Sequence, residues 1–168
     1  MEFNEVIKNR FACRKFSNKP LEKEKLDMIL EAGRIAPTAK NKQPFKVVVV
    51  SSPNGIASID KATSCRYNAP VVLVVCGNKD EAFSNEVMST YEMDSSIVAT
   101  HMMLEATNLG VNNIWIELFD KDIISKEFDL PSNLIPVCLL PVGYKTDDCI
   151  PSRLHTERKP LEDIVIYK

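Results

Sequence analysis

The passage R-I-A-P-T-A-K-N-K-Q-P-F-K-V-V-V-V-S, Arg34 to Ser51, decides how the chain is organised. It begins as the end of an amphipathic helix on which Leu26, Ile29, Leu30 and Gly33 recur at helical spacing. Pro37 disfavours the helical conformation at Ala36, so the helix stops there. Thr38 and Ala39 follow, then the amides of Asn41 and Gln43, a second proline at Pro44, and an apolar strand from Phe45 to Ser51. Small side chains leave room for a flat ring close to the main chain. The Asn41 amide offers both donors and acceptors to a heterocyclic edge. Pro, Asn and Thr are also ordinary turn residues, so taken alone the passage reads first as a helix-to-strand turn.

Upstream, Pro20-Leu21-Glu22 opens that helix, with Glu22 and Glu24 at its positive end. A shorter helix, Asn4 to Asn9, offers Phe3, Val6 and Ile7 to one face. Between the two lies R-F-A-C-R-K-F, Arg10 to Phe16, predicted to be extended and rich in cations. In isolation it is a solvated basic loop. Arginine also presents a planar fork that grips phosphate oxygens in pairs, which a lysine point charge does not. Cys13 sits among Arg10, Arg14 and Lys15, and such neighbours lower a thiol's pKa, although a catalytic thiol is the less favoured reading.

Downstream, Pro53-Asn54-Gly55 reads as a turn and Ile56 to Ala62 as a short helix. Val71 to Cys76 is a continuous apolar run, the mark of a buried strand. Lys79 to Tyr91 is polar without a period, a loop or weak helix. Asp94 reads as the N-cap of the longest helix, which runs to Leu109 and ends at Gly110. His101 on that helix is best read as a packed structural histidine. A strand over Asn113 to Phe119, a short helix capped by Asp120 and running to Phe128, a strand over Val137 to Val142 and a terminal strand over Leu161 to Tyr167 complete the pattern.

A chain of 168 residues that is 45% hydrophobic fits one domain over residues 1–168. A net charge of −2 and a pI near 5.8 argue against nucleic-acid partners. The first residues lack the apolar core of a signal peptide, and no apolar run approaches a bilayer span. A soluble, cytoplasmic protein without membrane partners is expected. The five cysteines are scattered, with no C-x-x-C pair, so neither a disulfide framework nor a metal site is predicted. There is no P-loop and no G-x-G-x-x-G. A bound nucleotide must then be held by arginines and strand-edge backbone, and NAD(P)H would be a transient substrate.

Four segments taken in order resemble the FMN-dependent nitroreductase family in a short form. They are Arg10 to Phe16, Arg34 to Ser51, L-G-V-N-N-I-W-I-E-L-F from Leu109 to Phe119, and R-K-P-L-E-D-I-V from Arg158 to Val165. The resemblance covers nearly the whole chain. It implies an α+β fold, three-layer and α/β/α-like, with a central mixed, mostly antiparallel sheet flanked by helices. It also implies a homodimer whose subunits exchange their C-terminal tails, with FMN at the interface. Carried over residue by residue, it assigns the FMN phosphate to Arg10, Arg14 and Arg158, with Phe11 and Ala12 contributing mainly backbone. The ring would rest against Pro37, Thr38, Ala39 and Asn41 of the other subunit, with the backbone of Ile116, Glu117 and Leu118 beside its N5 and O4 edge.

Three departures stand out: many relatives have serine at the place of Ala12, several have glycine at that of Leu118, and some have a basic residue at that of Thr156. The implied reaction is ping-pong. NAD(P)H gives hydride to flavin N5, and a nitroaromatic, quinone or similar acceptor then takes its place, with no side chain acting as acid or base. Relatives that remove halogens or break down flavin leave a second chemistry open. A non-catalytic flavin-binding dimer, or a domain that has lost the cofactor, would be alternatives from another class.

Overall fold

The computed structural model describes every residue from Met1 to Lys168. Its centre is β2, Val71–Asn78, every residue of which is buried. Such a strand has no solvent face, so its Val and Leu side chains need an apolar layer on both sides. On one edge β2 pairs antiparallel with β1, Phe45–Val50, and on the other with β4, Leu134–Gly143. A short strand β3, Asn112–Asn113, pairs antiparallel with β4 and gives the order β1-β2-β4-β3. Parallel pairing is confined to one isolated bridge, Ala12 to Asn113.

Because side chains alternate along a strand, β2 divides the core in two. Val72, Val74 and Cys76 join Leu139, Ile114, Ile116, Cys13 and Phe16 on one face. That face is covered by α3, Pro53–Ala62, and α5, Lys121–Glu127. Leu73 and Val75 join Leu140, Val142 and the helices α2, Lys23–Arg34, and α4, Tyr91–Asn108, on the other. The sheet thus lies between two helical layers in an α+β fold. An additional helix, α1, Phe3–Asn9, buries only Val6 and leaves Phe3 and Ile7 exposed. No helix is long and apolar enough to cross a membrane.

Several boundaries move for local reasons. Pro53-Asn54-Gly55 is the first turn of α3, because Ser52 caps it by accepting from the Gly55 N–H at 3.2 Å and Pro53 occupies a position that needs no donor. α2 starts at Lys23 with Glu22 as its N-cap, and α4 starts at Tyr91 after Thr90. β4 extends over both of its prolines. Pro136 pairs with Cys76 beside the register shift between Val75 and Cys76, where a bulge tolerates a missing donor.

Asn113 to Phe119 is not a continuous strand. Ile114 N–H donates to Pro141 O at 3.2 Å, but proline has no N–H to return the bond. The ladder lapses there and resumes only at Ile116, which exchanges bonds of 2.9 and 3.0 Å with Leu139. The terminal strand expected over Leu161 to Tyr167 is a single 3-10 turn at Leu161–Asp163, with Ile164, Ile166 and Tyr167 exposed.

Leu73 is fully buried opposite Leu140 at the centre of the second face. Leu73→Ala is expected to cost about 2–5 kcal/mol, through lost transfer energy and the cavity left behind. The midpoint of denaturant unfolding, compared with that of the unaltered chain, measures it.

Candidate functional site

The segment Arg10 to Phe16 is extended because it is stitched on both sides. Cys13 N–H donates to Asn113 O at 3.0 Å, Phe16 N–H donates to Tyr67 O at 3.2 Å, and Phe16 bridges Lys145. Cys13 and Phe16 point into the core, and Arg14 and Lys15 point out. The three cations then differ in their partners. Lys15 is paired with Asp148 at 2.6 Å, whereas neither Arg10 nor Arg14 has a carboxylate partner. The Arg14 guanidinium lies by the Tyr67 hydroxyl. Burial pushes the Tyr67 phenol up and Cys65 adds to the rise, while Arg14 draws it back. Two guanidinium groups held on an extended backbone without internal anions suit a phosphate. Cys13 does not fit a reactive thiol: it is fully buried, and burial pushes it up to about 12.

Beyond Ile116 the chain leaves the sheet. Glu117 accepts from Trp115 Nε1 at 3.0 Å, and Leu118 O accepts from the Thr63 hydroxyl at 2.7 Å. The N–H groups of Glu117 and Leu118 have no acceptor within the chain, and Leu118 is 77% exposed. This end of the segment therefore presents free backbone donors at the surface. Arg10, Phe11, Ala12, Arg14, Ile116, Glu117 and Leu118 form one group, joined through Asn113 and the first core face.

Pro37, Thr38, Ala39 and Asn41 form a second group. α2 ends at Arg34, and the backbone then passes through three non-glycine residues with positive φ: Lys40 at 52°, Asn41 at 52° and Gln43 at 50°. Each such residue costs on the order of 1 kcal/mol, so the surroundings must hold the loop in place. Thr38 does part of this: its hydroxyl accepts from Gln43 N–H at 2.9 Å and its carbonyl from Asn41 N–H at 2.9 Å. The Asn41 side-chain amide makes no hydrogen bond within the chain and is exposed. The loop thus holds its small residues against the fold and leaves one amide free.

Asp94 does the rest, and the sequence did not point to this role. It is not the N-cap of α4. It lies in the first turn, only 2% exposed, accepting from Ala39 N–H at 2.8 Å and from the Thr90 hydroxyl at 2.8 Å. The Thr90 backbone N–H in turn donates to Phe83 O at 2.9 Å, and Lys40 Nζ lies 4.5 Å from the Phe83 ring centre. The segment between β2 and α4 is therefore tied to the Pro37–Asn41 loop. The available signal was the acid four residues after Thr90, inside rather than before the helix.

The remaining candidates lie elsewhere. Arg158 donates to the carbonyls of Leu154 at 3.0 Å and Glu157 at 2.6 Å, so the single chain turns it onto its own tail. That tail touches the first group through His155, whose ring packs edge-on to Phe11 at 6.3 Å. His101 is half-buried, with Nδ1 2.9 Å from Ile97 O, beside an apolar hollow of about 450 Å³ lined by Phe3, Val6 and Ile35. No cluster of three or more His, Cys, Asp and Glu side chains is placed to hold a metal ion.

The two groups sit on opposite faces of the sheet. Cys13 and Ile116 belong to the face covered by α3 and α5, whereas Ala36, just before Pro37, packs with α2 and α4. Two packed layers are about 10 Å apart. The two groups of one chain are thus anchored in different layers of the fold.

The family model described as "Nitroreductase family" matches residues 7–67 and 64–144, most of the chain. A nitroreductase family protein of Clostridium difficile 630 is 40% identical and superimposes with a TM-score of 0.93 over 100% of this chain and 99% of its own. An FMN-dependent nitroreductase of Clostridium difficile R20291 is 28% identical, with a TM-score of 0.73 over 85% of this chain and 87% of its own. A curated relative from Methanothermobacter thermautotrophicus, provisionally named NADH dehydrogenase/NAD(P)H nitroreductase, is 25% identical over 94% of this chain and 88% of its own. A match that spans both core faces and the loop between α2 and β1 places this chain in the nitroreductase family.

Proposed function

We propose that residues 1–168 form one FMN-binding domain of a homodimeric oxidoreductase that uses NAD(P)H to reduce nitroaromatic, quinone or similar acceptors. The observation that carries this reading is the division of the candidate residues into two groups on opposite faces of the sheet. Each group is half of a site, and a second copy supplies the other half.

The residues present fit FMN. Arg10 and Arg14, free of carboxylates, would hold its phosphate, and Phe11 and Ala12 follow the same extended backbone. The unacceptored N–H groups of Glu117 and Leu118, beyond Ile116, would serve the polar edge of the ring. The partner's Pro37, Thr38 and Ala39 would lie beneath the ring, and the partner's Asn41 has the free amide to bond its heterocyclic edge. FMN, when bound, supplies the redox chemistry, taking two electrons from NAD(P)H and passing them to the acceptor.

The protein's work is then to bind and orient, and no acid–base pair is needed. Glu117 and Leu118 are exposed, so the ring edge that they would serve stays open to solvent, and ping-pong kinetics, with two substrates using one face in turn, are expected. Arg158 joins the phosphate only if the tail leaves the position it has in the single chain. Exchange of tails between subunits would allow this, and it would also cover Leu161, Ile164, Ile166 and Tyr167, which are exposed here.

The test is an absorbance spectrum of purified protein mixed with FMN, followed by anaerobic NADH or NADPH. Bleaching of the flavin band, and its return with a nitroaromatic or quinone, is the expected result. A bound flavin that neither nucleotide bleaches would make the protein a flavin-binding module, and failure to bind FMN would overturn the reading.

A further inference from the structure

Cys13 and Cys149 are 136 residues apart in sequence, yet their sulfurs lie 3.6 Å apart. Both are buried, at 0% and 5% exposure, and neither is in a disulfide. Backbone contacts on either side fix this approach. Ser17 N–H donates to Tyr144 O at 2.8 Å, Thr146 N–H to Lys15 O at 3.1 Å, and Cys149 N–H to Thr146 O at 3.1 Å. Outside them, Asp148 is clasped by Lys15 at 2.6 Å and by the Thr146 hydroxyl at 2.6 Å. Cys76 and Cys138, on neighbouring strands of the core, make no comparable sulfur–sulfur contact.

We propose that Cys13 and Cys149 are a site of reversible oxidation, forming an intrachain disulfide between the segment that carries Arg10 and Arg14 and the root of the C-terminal tail. A disulfide bond is about 2.05 Å long, so the sulfurs must close by about 1.6 Å, a distance that small side-chain rotations cover. The inference stands apart from FMN binding, because it rests only on the two thiols and the backbone that holds them.

The oxidant is a peroxide. Cys149 reacts first: it is followed by the exposed Ile150, so loosening of the tail uncovers it, whereas Cys13 is sealed in the core. The Cys149 sulfur attacks one peroxide oxygen, the O–O bond breaks, and a sulfenic acid and water result. The Cys13 sulfur then attacks the Cys149 sulfur, the S–O bond breaks, and the Cys13 proton leaves with the hydroxyl as a second water. In sum, two thiols and hydrogen peroxide give one disulfide and two waters. Burial pushes the Cys13 thiol up to about 12, which keeps it unreactive toward oxidants in solution. It acts only as the resolving thiol, on an activated sulfur already in contact. Two exchanges with a dithiol reverse the bond.

The experiment exposes the native chain to hydrogen peroxide, alkylates the remaining thiols under denaturing conditions, and maps peptides by mass spectrometry. The expected product is a Cys13–Cys149 linked peptide that dithiothreitol abolishes, with Cys65, Cys76 and Cys138 still alkylated. Cys149→Ser should abolish the link and leave Cys13 alkylated. Full recovery of all thiols in the unaltered chain would overturn the proposal. So would over-oxidation of Cys149 without a link, or linkage to any other cysteine. The reading on the unaltered chain does not depend on whether the variant folds.

Discussion

Arg14→Ala is expected to weaken FMN binding roughly 10- to 100-fold, because a hydrogen bond to a charged group contributes about 1.5–3 kcal/mol and each 1.4 kcal/mol is about tenfold in affinity. The expectation rests on partners. Arg14 has no carboxylate to satisfy it and its neighbour is the Tyr67 hydroxyl, so its charge is available to a ligand. Arg10 stands in the same state, and the double variant Arg10→Ala/Arg14→Ala should lose at least on the order of 100-fold, with departures from additivity because both would grip one phosphate. Arg14→Lys should fall between, since it keeps a charge but loses the fork. Lys15→Ala is the informative control. Lys15 lies next to Arg14 in sequence but is spent on Asp148, so its loss should leave FMN affinity nearly unchanged. Titration of FMN fluorescence measures all four. Equal losses for Lys15→Ala and Arg14→Ala would mean that general positive charge, not a phosphate clamp, attracts the flavin.

The difference between Arg14 and Lys15 also marks the limit of what the sequence conveys. The run R-F-A-C-R-K-F reveals three cations and an extended backbone, but Asp148, which takes one of them away, is 133 residues distant. Features written in local chemistry are legible: the break at Pro37, the buried strand from Val71, the long helix ending before Gly110, and the Asp120 cap, which accepts from Asp122 and Ile123. Features that depend on pairing are not. The gap between β3 and Ile116 arises because Pro141 happens to stand opposite Ile114. Nothing within Trp115 to Phe119 announces it. The tail reads as a strand from Val165 and Ile166, but an edge needs a neighbour, and the single chain offers none there. The loop from Pro37 is intermediate. Its turn character is plain, but its three positive φ values and the buried Asp94 that steadies it follow from packing against α4. The shared thiol contact of Cys13 and Cys149 is of the same kind, since flanking arginines suggest a lowered pKa and burial reverses it.

Mixing two defective variants should restore function that neither has alone. In the clamp variant, Arg10→Ala/Arg14→Ala removes both guanidinium groups from one half-site. In the loop variant, Ala39→Trp puts an indole where a flat ring needs the small side chain of the half-buried Ala39. In the proposed homodimer, either variant alone would have the same defect in both sites. A heterodimer would differ, because its two sites would be built crosswise. One combines the mutant clamp with the mutant loop and fails twice, while the other combines an intact clamp with an intact loop. Half the sites in a heterodimer should therefore bind FMN and respond to NAD(P)H as the unaltered protein does. The prediction follows from the sheet. Cys13 and Ile116 pack on one of its faces, and Ala36, with the loop that follows, packs on the other. Along α4 the same separation recurs: Asp94, which holds Ala39, and Thr107, which bonds Asn113 beside the clamp, are roughly 20 Å apart at 1.5 Å per residue. Co-expression with two different affinity tags and sequential purification isolates the heterodimer. Flavin content and NAD(P)H oxidation per dimer then give the answer. Recovery to about half of the unaltered value means that the site is shared between subunits. No recovery in a purified heterodimer would place the clamp and the loop of one chain in the same site, and the division across the sheet would lose its functional meaning.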